Sequence, residues 1–173
     1  QTYKNLEIIV VDNYSDYNFF GLIKSLKDSR IKAYQNNNNG IIAVNRNYGS
    51  KVSSGCFLAF CDDDDIWFKD KIYLQLKIML KSPEILLNGT LAIKSGYKSN
   101  FGQNNFGIMY RKVLLTRFFL LRYNPIILSS VMVKKDVFIS LNGFSEDEDL
   151  VTVEDLDLWL KFYDSGKISI LKQ

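Results

Sequence analysis

The sequence predicts an α/β fold with an open, doubly wound sheet flanked by helices. Apolar, β-branched runs alternate three times with segments of helical periodicity before residue 83. Two of these runs end in aspartate, at Asp12 and Asp62. Helical segments end at Gly55 and Pro83, residues that commonly follow a helix. This order favours parallel strands in the first half of the chain, with helices as crossover connections.

The first half alternates strands and helices without a break. A continuous apolar run predicts a strand buried on both faces, an alternating run predicts a half-buried strand, and periodic apolar residues predict amphipathic helices. Turn residues fill 13–18 and 36–40. The predicted strands are "LEIIVVD" (6–12), "RIKAYQ" (30–35) and "CFLAFCD" (56–62), and the predicted helices are 19–29, 41–55 and 68–83.

The second half is less regular. Residues 86–110 are rich in Gly and Asn and predict strands joined by long loops. The elements expected after them are a strand at 126–135, a short helix and turn at 136–144, an acidic loop leading into a helix at 145–166, and a last strand at 167–171. No internal repeat or linker separates the halves, so residues 1–173 are predicted to form one domain.

Composition excludes several kinds of chemistry. The 173 residues carry a net charge of +3, which is too small to favour nucleic acid as a partner. The chain contains no histidine, which excludes Ser-His-Asp and Cys-His catalysis and every zinc site built on histidine. A general base must therefore be Asp, Glu, Lys, Tyr or Cys. A bound metal would have mostly oxygen ligands, which favours Mg or Mn over Zn.

Other features bear on location. Cys56 and Cys61 lie at odd spacing in one predicted strand, so they point to opposite faces and fit a reduced, cytoplasmic compartment. Residues 112–128 are apolar, but Lys and Arg interrupt them, which excludes a membrane span. A core helix is the favoured interpretation there, and a basic surface helix that touches a membrane is the alternative. The chain begins at Gln1 without a signal peptide, which predicts a fragment.

Four adjacent aspartates, Asp62 to Asp65, follow the third predicted strand. Ligands of open α/β sheets bind beyond the carboxyl ends of the strands, so Asp12 and Asp62 are expected at one sheet edge. Asp62 and Asp64 have the spacing that points two side chains the same way from an extended segment. Because a divalent cation would offset their mutual repulsion, the stretch predicts a metal site. The alternative is a solvated acidic turn.

A second acidic stretch, "TVEDLDLWLKF" (152–162), predicts a helix start. Val153, Leu156 and Leu160 mark the expected buried stripe, widened by Trp159 and Phe162. Carboxylates at 154 and 155 complement the helix dipole, which alone would explain them. Since no histidine is available, a general base at this helix start is the functional interpretation.

Five segments taken together resemble the family 2 glycosyltransferases, inverting enzymes of the GT-A fold that use nucleotide sugars. They are "QTYKNLEIIVVDN", "NG…NRNYG", "GCFLAFCDDDDIWFKDKIYLQ", "SSVMVKKDVF…NGFSEDEDL" and "VEDLDLWLKF", in this order from residue 1 to about residue 165. The resemblance implies a Rossmann-like open mixed sheet flanked by helices. It also implies a nucleotide-binding half at about 1–82 and an acceptor-side half at about 83–173. The family's first strand, of the type S-I-V-I-P-x-Y-N, has no counterpart here.

The resemblance also implies roles for individual residues. The catalytic base would be Asp155, with Glu154 beside it, and Asp64 of the D-x-D motif would bind Mn or Mg. The implied nucleotide-sugar-binding residues are Asp12, Asn13, Arg46, Asp62 and Asp63. Two positions depart from the family pattern: Asn13 stands where Asp is common, and the spacing from Gly40 to Arg46 is one residue longer.

The function implied by the resemblance is transfer of a sugar, with inversion, from a nucleotide-sugar donor, UDP-linked by expectation, to a glycan or lipid-linked acceptor. The setting would be synthesis of a bacterial-type surface polysaccharide, in the cytoplasm or at the inner face of the membrane, with peripheral membrane contact. Three alternatives stay open. They are a non-catalytic or truncated module that binds nucleotide or glycan, a Mg-dependent phosphatase, and a nucleotidyltransferase of similar fold.

Overall fold

The computed structural model describes residues 1–92 and 116–171, which form an α/β fold with mixed strand directions and flanking helices. The strands are β1 (Ile8–Asp12), β2 (Ile31–Gln35), β3 (Phe57–Ala59), β4 (Ile85–Thr90), β5 (Met132–Lys134) and β6 (Lys167–Leu171). The helices are α1 (Phe19–Ser25), α2 (Ile42–Val52), α3 (Lys71–Lys81), α4 (Arg117–Tyr123), α5 (Lys135–Ser140) and α6 (Glu154–Ser165). Short 3₁₀ turns span Leu128–Ser130 and Glu148–Leu150.

The strands form two sheets among the described residues. β1 and β2 pair in parallel, as predicted, whereas β3 joins a second sheet of order β3-β5-β4-β6. In that sheet β5 runs antiparallel to β3 and β4, and β6 runs parallel to β4. The expectation of one parallel sheet through the first half was therefore wrong at β3. Its short ladder is satisfied by β5, whose residues come from the second half of the chain.

Helix α2 and a glutamate attach the first sheet to the rest of the molecule. A Cβ at Gly49 would lie 3.3 Å from Val11 and 3.5 Å from Ile9, so glycine allows α2 to approach β1 closely. Glu7 accepts hydrogen bonds from Lys32 Nζ at 2.6 Å and from the Gly55 backbone N–H at 3.0 Å. The hydrogen bond from Lys32 is the main reason that the pKa of Glu7 is lowered to about 2.

The core lies between the second sheet and α6. Its largest fully buried side chains include Trp159, Phe144 and Phe162. Along α6 the buried positions are Glu154, Leu158, Trp159 and Phe162, which lie on one helical face. The predicted stripe is confirmed at Trp159 and Phe162 but displaced elsewhere. Val153 is 41% exposed, and Leu156 and Leu160 are only partly buried. The displacement places the Glu154 side chain inside the protein.

Several predicted boundaries were too wide. The third strand ends at Ala59 rather than Asp62, and the strand expected at 126–135 contains a 3₁₀ turn before the three residues of β5. Of the segment 86–110, β4 confirms the first strand, and residues 93–115 lie outside the described ranges. Cys56 and Cys61 are unpaired, as expected.

Helix α4 is not the core helix that was expected. Leu120 is its only buried side chain, and Phe118, Leu121 and Tyr123 are exposed. Within residues 1–92 and 116–171, no helix has the length and apolar character needed to cross a bilayer.

Candidate active site

The first acidic position lies at the carboxyl end of β1. Asp12 is buried and accepts hydrogen bonds from the Ser15 backbone N–H at 3.1 Å and from Gln35 Nε2 at 2.9 Å. Burial by itself would raise the pKa of Asp12, but the hydrogen bonds from Ser15 and Gln35 lower it. Asn13 Oδ1 accepts from the Asn38 backbone N–H at 2.9 Å, which ties this strand end to the loop before α2. Asp12 is thus held as a carboxylate.

The second feature is Arg46, which projects from α2 and joins two distant acidic positions. Its Nη1 donates to Glu154 Oε1 at 2.6 Å and its Nη2 donates to Asp62 Oδ1 at 3.0 Å. The guanidinium also lies 5.6 Å from the centre of the Phe144 ring. Both Arg46 and Glu154 are largely buried, so each charge depends on the other for compensation. Arg46 therefore links the turn after β3 to the start of α6.

A well-defined loop brings Phe144 under Arg46. Gly143 has a φ of +66°, and a Cβ there would lie 2.5 Å from Asn47 Oδ1. Asn47 fixes the loop with two hydrogen bonds, donating to the Phe144 carbonyl at 2.9 Å and accepting from the Phe144 N–H at 3.0 Å. Adjacent residues of α2 thus bind the loop and the acidic groups.

The four aspartates form a turn rather than an extended segment. The Asp65 N–H donates to the Asp62 carbonyl at 3.2 Å, so the spacing argument for Asp62 and Asp64 does not hold locally. The Asp62 N–H donates to Ser129 Oγ at 2.9 Å, and Trp67 Nε1 donates to the Ser129 carbonyl at 2.7 Å. Ser129 therefore holds both ends of the turn. Asp63, Asp64 and Asp65 are exposed, whereas Asp62 is partly buried.

The turn offers only part of a metal site. Within residues 1–92 and 116–171, no group of three or more Cys, Asp or Glu side chains is arranged to hold a metal ion. The exposed carboxylates of Asp63, Asp64 and Asp65 are nevertheless oxygen donors of the kind that Mg²⁺ and Mn²⁺ prefer. A cation at this turn would need further oxygen ligands, and a bound diphosphate can supply them.

The two carboxylates at the start of α6 have different surroundings. Glu154 is paired with Arg46, whereas Asp155 has no ion-pair partner among the described residues. Asp155 accepts hydrogen bonds from the Leu156 N–H at 2.6 Å and from Asn124 Nδ2 at 3.3 Å. Burial raises the pKa of Asp155 above its ordinary value despite these hydrogen bonds. Asp155 thus differs from Glu154 in having hydrogen bonds from neutral groups in place of an ion pair.

A pocket of about 290 Å³ collects these groups. Its wall joins charged and polar side chains to an apolar strip: Arg46, Asp62, Asn124, Ile126, Ile127, Leu128, Thr152, Glu154 and Asp155. Of the residues predicted from the sequence, the pocket brings together Arg46, Asp62, Glu154 and Asp155. It does not include Asp12, Asn13, Asp63 or Asp64. The roles of all eight residues stay predictions.

Ser129 and Asn124, which donate or accept hydrogen bonds at the predicted acidic positions, were missed from the sequence. Ser129 lies in "LSSV", where a serine pair before a short strand is the one available sign of a role. Asn124 precedes Pro125 and has a φ of 36°, and a left-handed asparagine before a proline is an ordinary helix stop. Neither pattern reveals a partner more than 30 residues away in the chain.

Comparison with known proteins places this geometry in a family. The model of the family "Glycosyl transferase family 2" matches residues 1–138. Among curated relatives, the Escherichia coli UDP-Glc:alpha-D-GlcNAc-diphosphoundecaprenol beta-1,3-glucosyltransferases WfaP and WfgD are 42% and 39% identical over 46% and 54% of this chain. The putative glycosyltransferase EpsE of Bacillus subtilis is 24% identical over 96% of the chain. This chain covers 32%, 37% and 59% of those three relatives, respectively.

A solved structure agrees on the fold. The crystal structure of S. aureus TarS 1–349 superposes with a TM-score of 0.73 over 95% of this chain and 48% of that one, at 18% identity. At this identity the likeness supports the GT-A architecture and nothing finer. The family match spans most of the chain and includes β1, Arg46 and the four aspartates. The chain therefore belongs to the family 2 glycosyltransferases.

Proposed function

We propose that this chain transfers a sugar, with inversion, from a UDP-linked donor to a lipid-linked or glycan acceptor. The observation that carries the proposal is the bridge made by Arg46. It joins Asp62, in the acidic turn after β3, to Glu154, which lies 108 positions away from Arg46 in the chain. The bridge sets the acidic turn and Asp155 around one pocket, as a transferase with one donor and one base requires.

The donor belongs on the side of the β1 end and the acidic turn. Asp12 and Asn13 would contact the base and ribose of the nucleotide, and Asp62, Asp63 and Arg46 its ribose, sugar or phosphates. A bound Mn²⁺ or Mg²⁺ on Asp64 would offset the charge that develops on the leaving diphosphate. The exposure of Asp64 supports this role, because its carboxylate is free to bind without breaking an internal contact.

The base belongs at the start of α6. Glu154 is a poor candidate because its Oε1 is already held in a buried ion pair with the Arg46 guanidinium at 2.6 Å. Asp155 lacks such a partner among the described residues, and burial raises its pKa toward the range useful for a base. We therefore assign proton removal to Asp155, and to Glu154 the task of holding Arg46.

The chemistry balances with these groups. The acceptor hydroxyl gives its proton to Asp155 as its oxygen forms a bond to the anomeric carbon of the donor. The bond from that carbon to the diphosphate oxygen breaks, and the nucleoside diphosphate leaves from the opposite face with the bonding electrons. Configuration inverts once. A single carboxylate base is enough, whereas a glycosidase would need a second carboxyl group as acid or nucleophile.

The names of the relatives suggest the acceptor. Two E. coli relatives are named for transfer to GlcNAc-diphosphoundecaprenol, a lipid-linked sugar. By analogy we assign this chain to surface polysaccharide synthesis at the cytoplasmic face of a membrane. Helix α4 would lie nearest the lipid, since it exposes Phe118 and Leu121 beside Arg117 and Arg122.

Calorimetry with UDP, in the presence and absence of Mn²⁺, tests the donor side. We expect Mn-dependent binding to this chain that Asp64→Ala abolishes. Asp149→Ala is the matched control, because Asp149 is an exposed aspartate outside the pocket, and it should bind UDP normally. UDP binding that is unchanged both by the absence of Mn²⁺ and by Asp64→Ala would overturn the assignment of the acidic turn. Binding without transfer to any lipid-linked acceptor would instead support a non-catalytic module.

A further inference from the structure

Asn124, which no motif assigns, contacts the proposed base directly. Its Nδ2 lies 3.3 Å from both Oδ1 and Oδ2 of Asp155, so one amide nitrogen contacts both carboxylate oxygens. Asn124 ends helix α4 with a left-handed backbone, and its N–H donates to the Leu120 carbonyl. It lines the pocket together with Asp155. The end of α4 thus delivers a hydrogen-bond donor to the pocket carboxylate that has no ion-pair partner among the described residues.

The other half of the amide is unused. Asn124 Oδ1 is buried and has no hydrogen-bond partner among the described residues. An amide that directs its N–H₂ at a carboxylate stabilises the ionised form, because a protonated carboxyl would need an acceptor. If Asp155 takes up a proton, a half turn of the amide presents Oδ1 to that proton and breaks no other contact. Asn124 can therefore hydrogen-bond Asp155 before and after proton transfer.

Few other charges act on Asp155. Glu154 is its neighbour on α6 and raises its pKa, while Arg46 on α2 lowers it, and burial outweighs both. Asp62 faces the same pocket from the turn after β3. The charged side chains of α4 are directed elsewhere: Arg117 pairs with Asp164, and the Arg122 guanidinium lies over the ring of Tyr123. The direct side-chain hydrogen bond to Asp155 comes from Asn124.

We propose that Asn124 is the positioning residue for the base, holding the Asp155 carboxylate oriented and ionised at the pocket and retaining a hydrogen bond to it once it is protonated. The inference rests on the proposed function, in which Asp155 removes the proton. The backbone explains the choice of residue. A φ of 36° is readily adopted by Asn, Asp and Gly, and of these only Asn offers both a donor and an acceptor.

Carbon-13 NMR of the aspartate carboxyl groups measures this directly, without turnover. The Asp155 resonance is identified by its absence in Asp155→Asn. In Asn124→Gly, which keeps the left-handed backbone, we expect the titration midpoint of Asp155 to rise by about one pH unit, since a hydrogen bond to the ionised form is lost. Asn124→Asp, which has the same shape, should give two coupled titrations with one midpoint above that of the wild type.

Asn39→Gly is the matched control, because Asn39 is also a left-handed asparagine (φ 49°), is exposed and lies outside the pocket. It should leave the titration of Asp155 unchanged. An unshifted midpoint in both Asn124 variants, with otherwise unaltered spectra, would overturn the inference. The donor-side proposal is tested separately, since Mn-dependent UDP binding should survive in Asn124→Gly. Failure of the wild type to bind UDP would refute the proposed function. The carboxyl titration would still decide whether Asn124 controls the ionisation of Asp155.

Discussion

The two acidic regions of the site differ in their exposure to solvent. Three of the four aspartates after β3 are exposed and make no side-chain ion pair among the described residues. The two carboxylates that begin α6 are shielded: Glu154 is only 7% exposed, and burial raises the pKa of Asp155. The four aspartates, which stand out in the sequence, are therefore mostly hydrated. The two carboxylates that begin α6, which do not stand out, are desolvated.

The difference indicates a division of labour. Exposed carboxylates keep their hydration until a ligand replaces it, which suits a turn that recruits a cation together with a diphosphate. Buried carboxylates must be compensated at all times. Glu154 receives a guanidinium, whereas Asp155 receives only hydrogen bonds from neutral groups. The ion pair of Glu154 holds the pocket together. The neutral hydrogen bonds of Asp155 leave the carboxylate that we propose takes up the proton.

Removal of the proposed base should have the largest effect. Asp155→Asn keeps the shape and the hydrogen bond from Asn124 but cannot accept a proton, so we expect transfer to slow about 10³-fold, within the usual range for a general base. Mn-dependent UDP binding should stay unchanged. Initial rates with a lipid-linked acceptor provide the measurement, with Asp149→Asn as control. If Glu154→Gln slowed transfer as much while Asp155→Asn did not, the two roles would be exchanged.

Removal of Arg46 should break the link between the two regions. Arg46→Met leaves Glu154 buried without its counter-charge, and we expect the free energy of unfolding to fall by about 3 kcal/mol. Urea denaturation measures it. The double variant Arg46→Met with Glu154→Gln should recover part of the loss, because no uncompensated charge remains. Equal losses in the single and double variants would mean that Arg46 stabilises the fold through Asp62 and Phe144 and not through Glu154.

The shielded region should also reveal itself through pH. Because the pKa of Asp155 is raised in the folded state, its contribution to stability is fully present below the ordinary aspartate value and is lost as pH rises through the raised pKa. Asp155→Asn should therefore stabilise the protein at pH 7, by on the order of 1 kcal/mol. That gain should vanish as the pH falls toward 4. Unfolding free energies across this range test it, and Asp149→Asn should show no such trend.

The exposed region should respond least. Ser129→Ala removes the acceptor of the Asp62 N–H but keeps the Trp67 contact, which uses the main-chain carbonyl. We expect a loss of about 1 kcal/mol, seen as roughly fivefold weaker Mn-UDP binding in calorimetry. Ser140→Ala, at an exposed serine of α5, serves as control. Unchanged affinity would show that the turn holds its shape without Ser129.

The predictable part of the molecule is the part with local patterns. A continuous apolar run predicted β1 and an alternating run predicted β2, each within two residues at each end. Apolar periodicity predicted α3 within three residues at each end. The resemblance carried by motif order named Arg46, Asp62 and Asp155, which line one pocket in the structure. The boundary of β3 was less predictable, because "FLAFCD" is apolar to its end while its ladder stops where β5 stops.

The unpredictable part depends on contacts between distant segments. The stripe of α6 was displaced because Val153 and Leu156 look as apolar as Leu158, and only the surrounding sheet decides which of them is buried. Burial of this face of α6 places Glu154 inside the protein, where the guanidinium of Arg46 compensates its charge. Asn124 has no pattern that announces its contact with Asp155, since the partner lies 31 positions away.

The separation of the strands into two sheets has a consequence for motion. β1 buries only Asp12, while β4 buries four of its six residues, so the protection of main-chain amides against hydrogen exchange should differ between the sheets. The first sheet is attached through α2 and through Glu7, whose contacts to Ser54 and Gly55 are exposed to water. We expect β1 and β2 to open as a cooperative unit before the four-stranded sheet does. The carboxyl end of β1, where we propose that the nucleotide binds, would then be the first part of the fold to loosen.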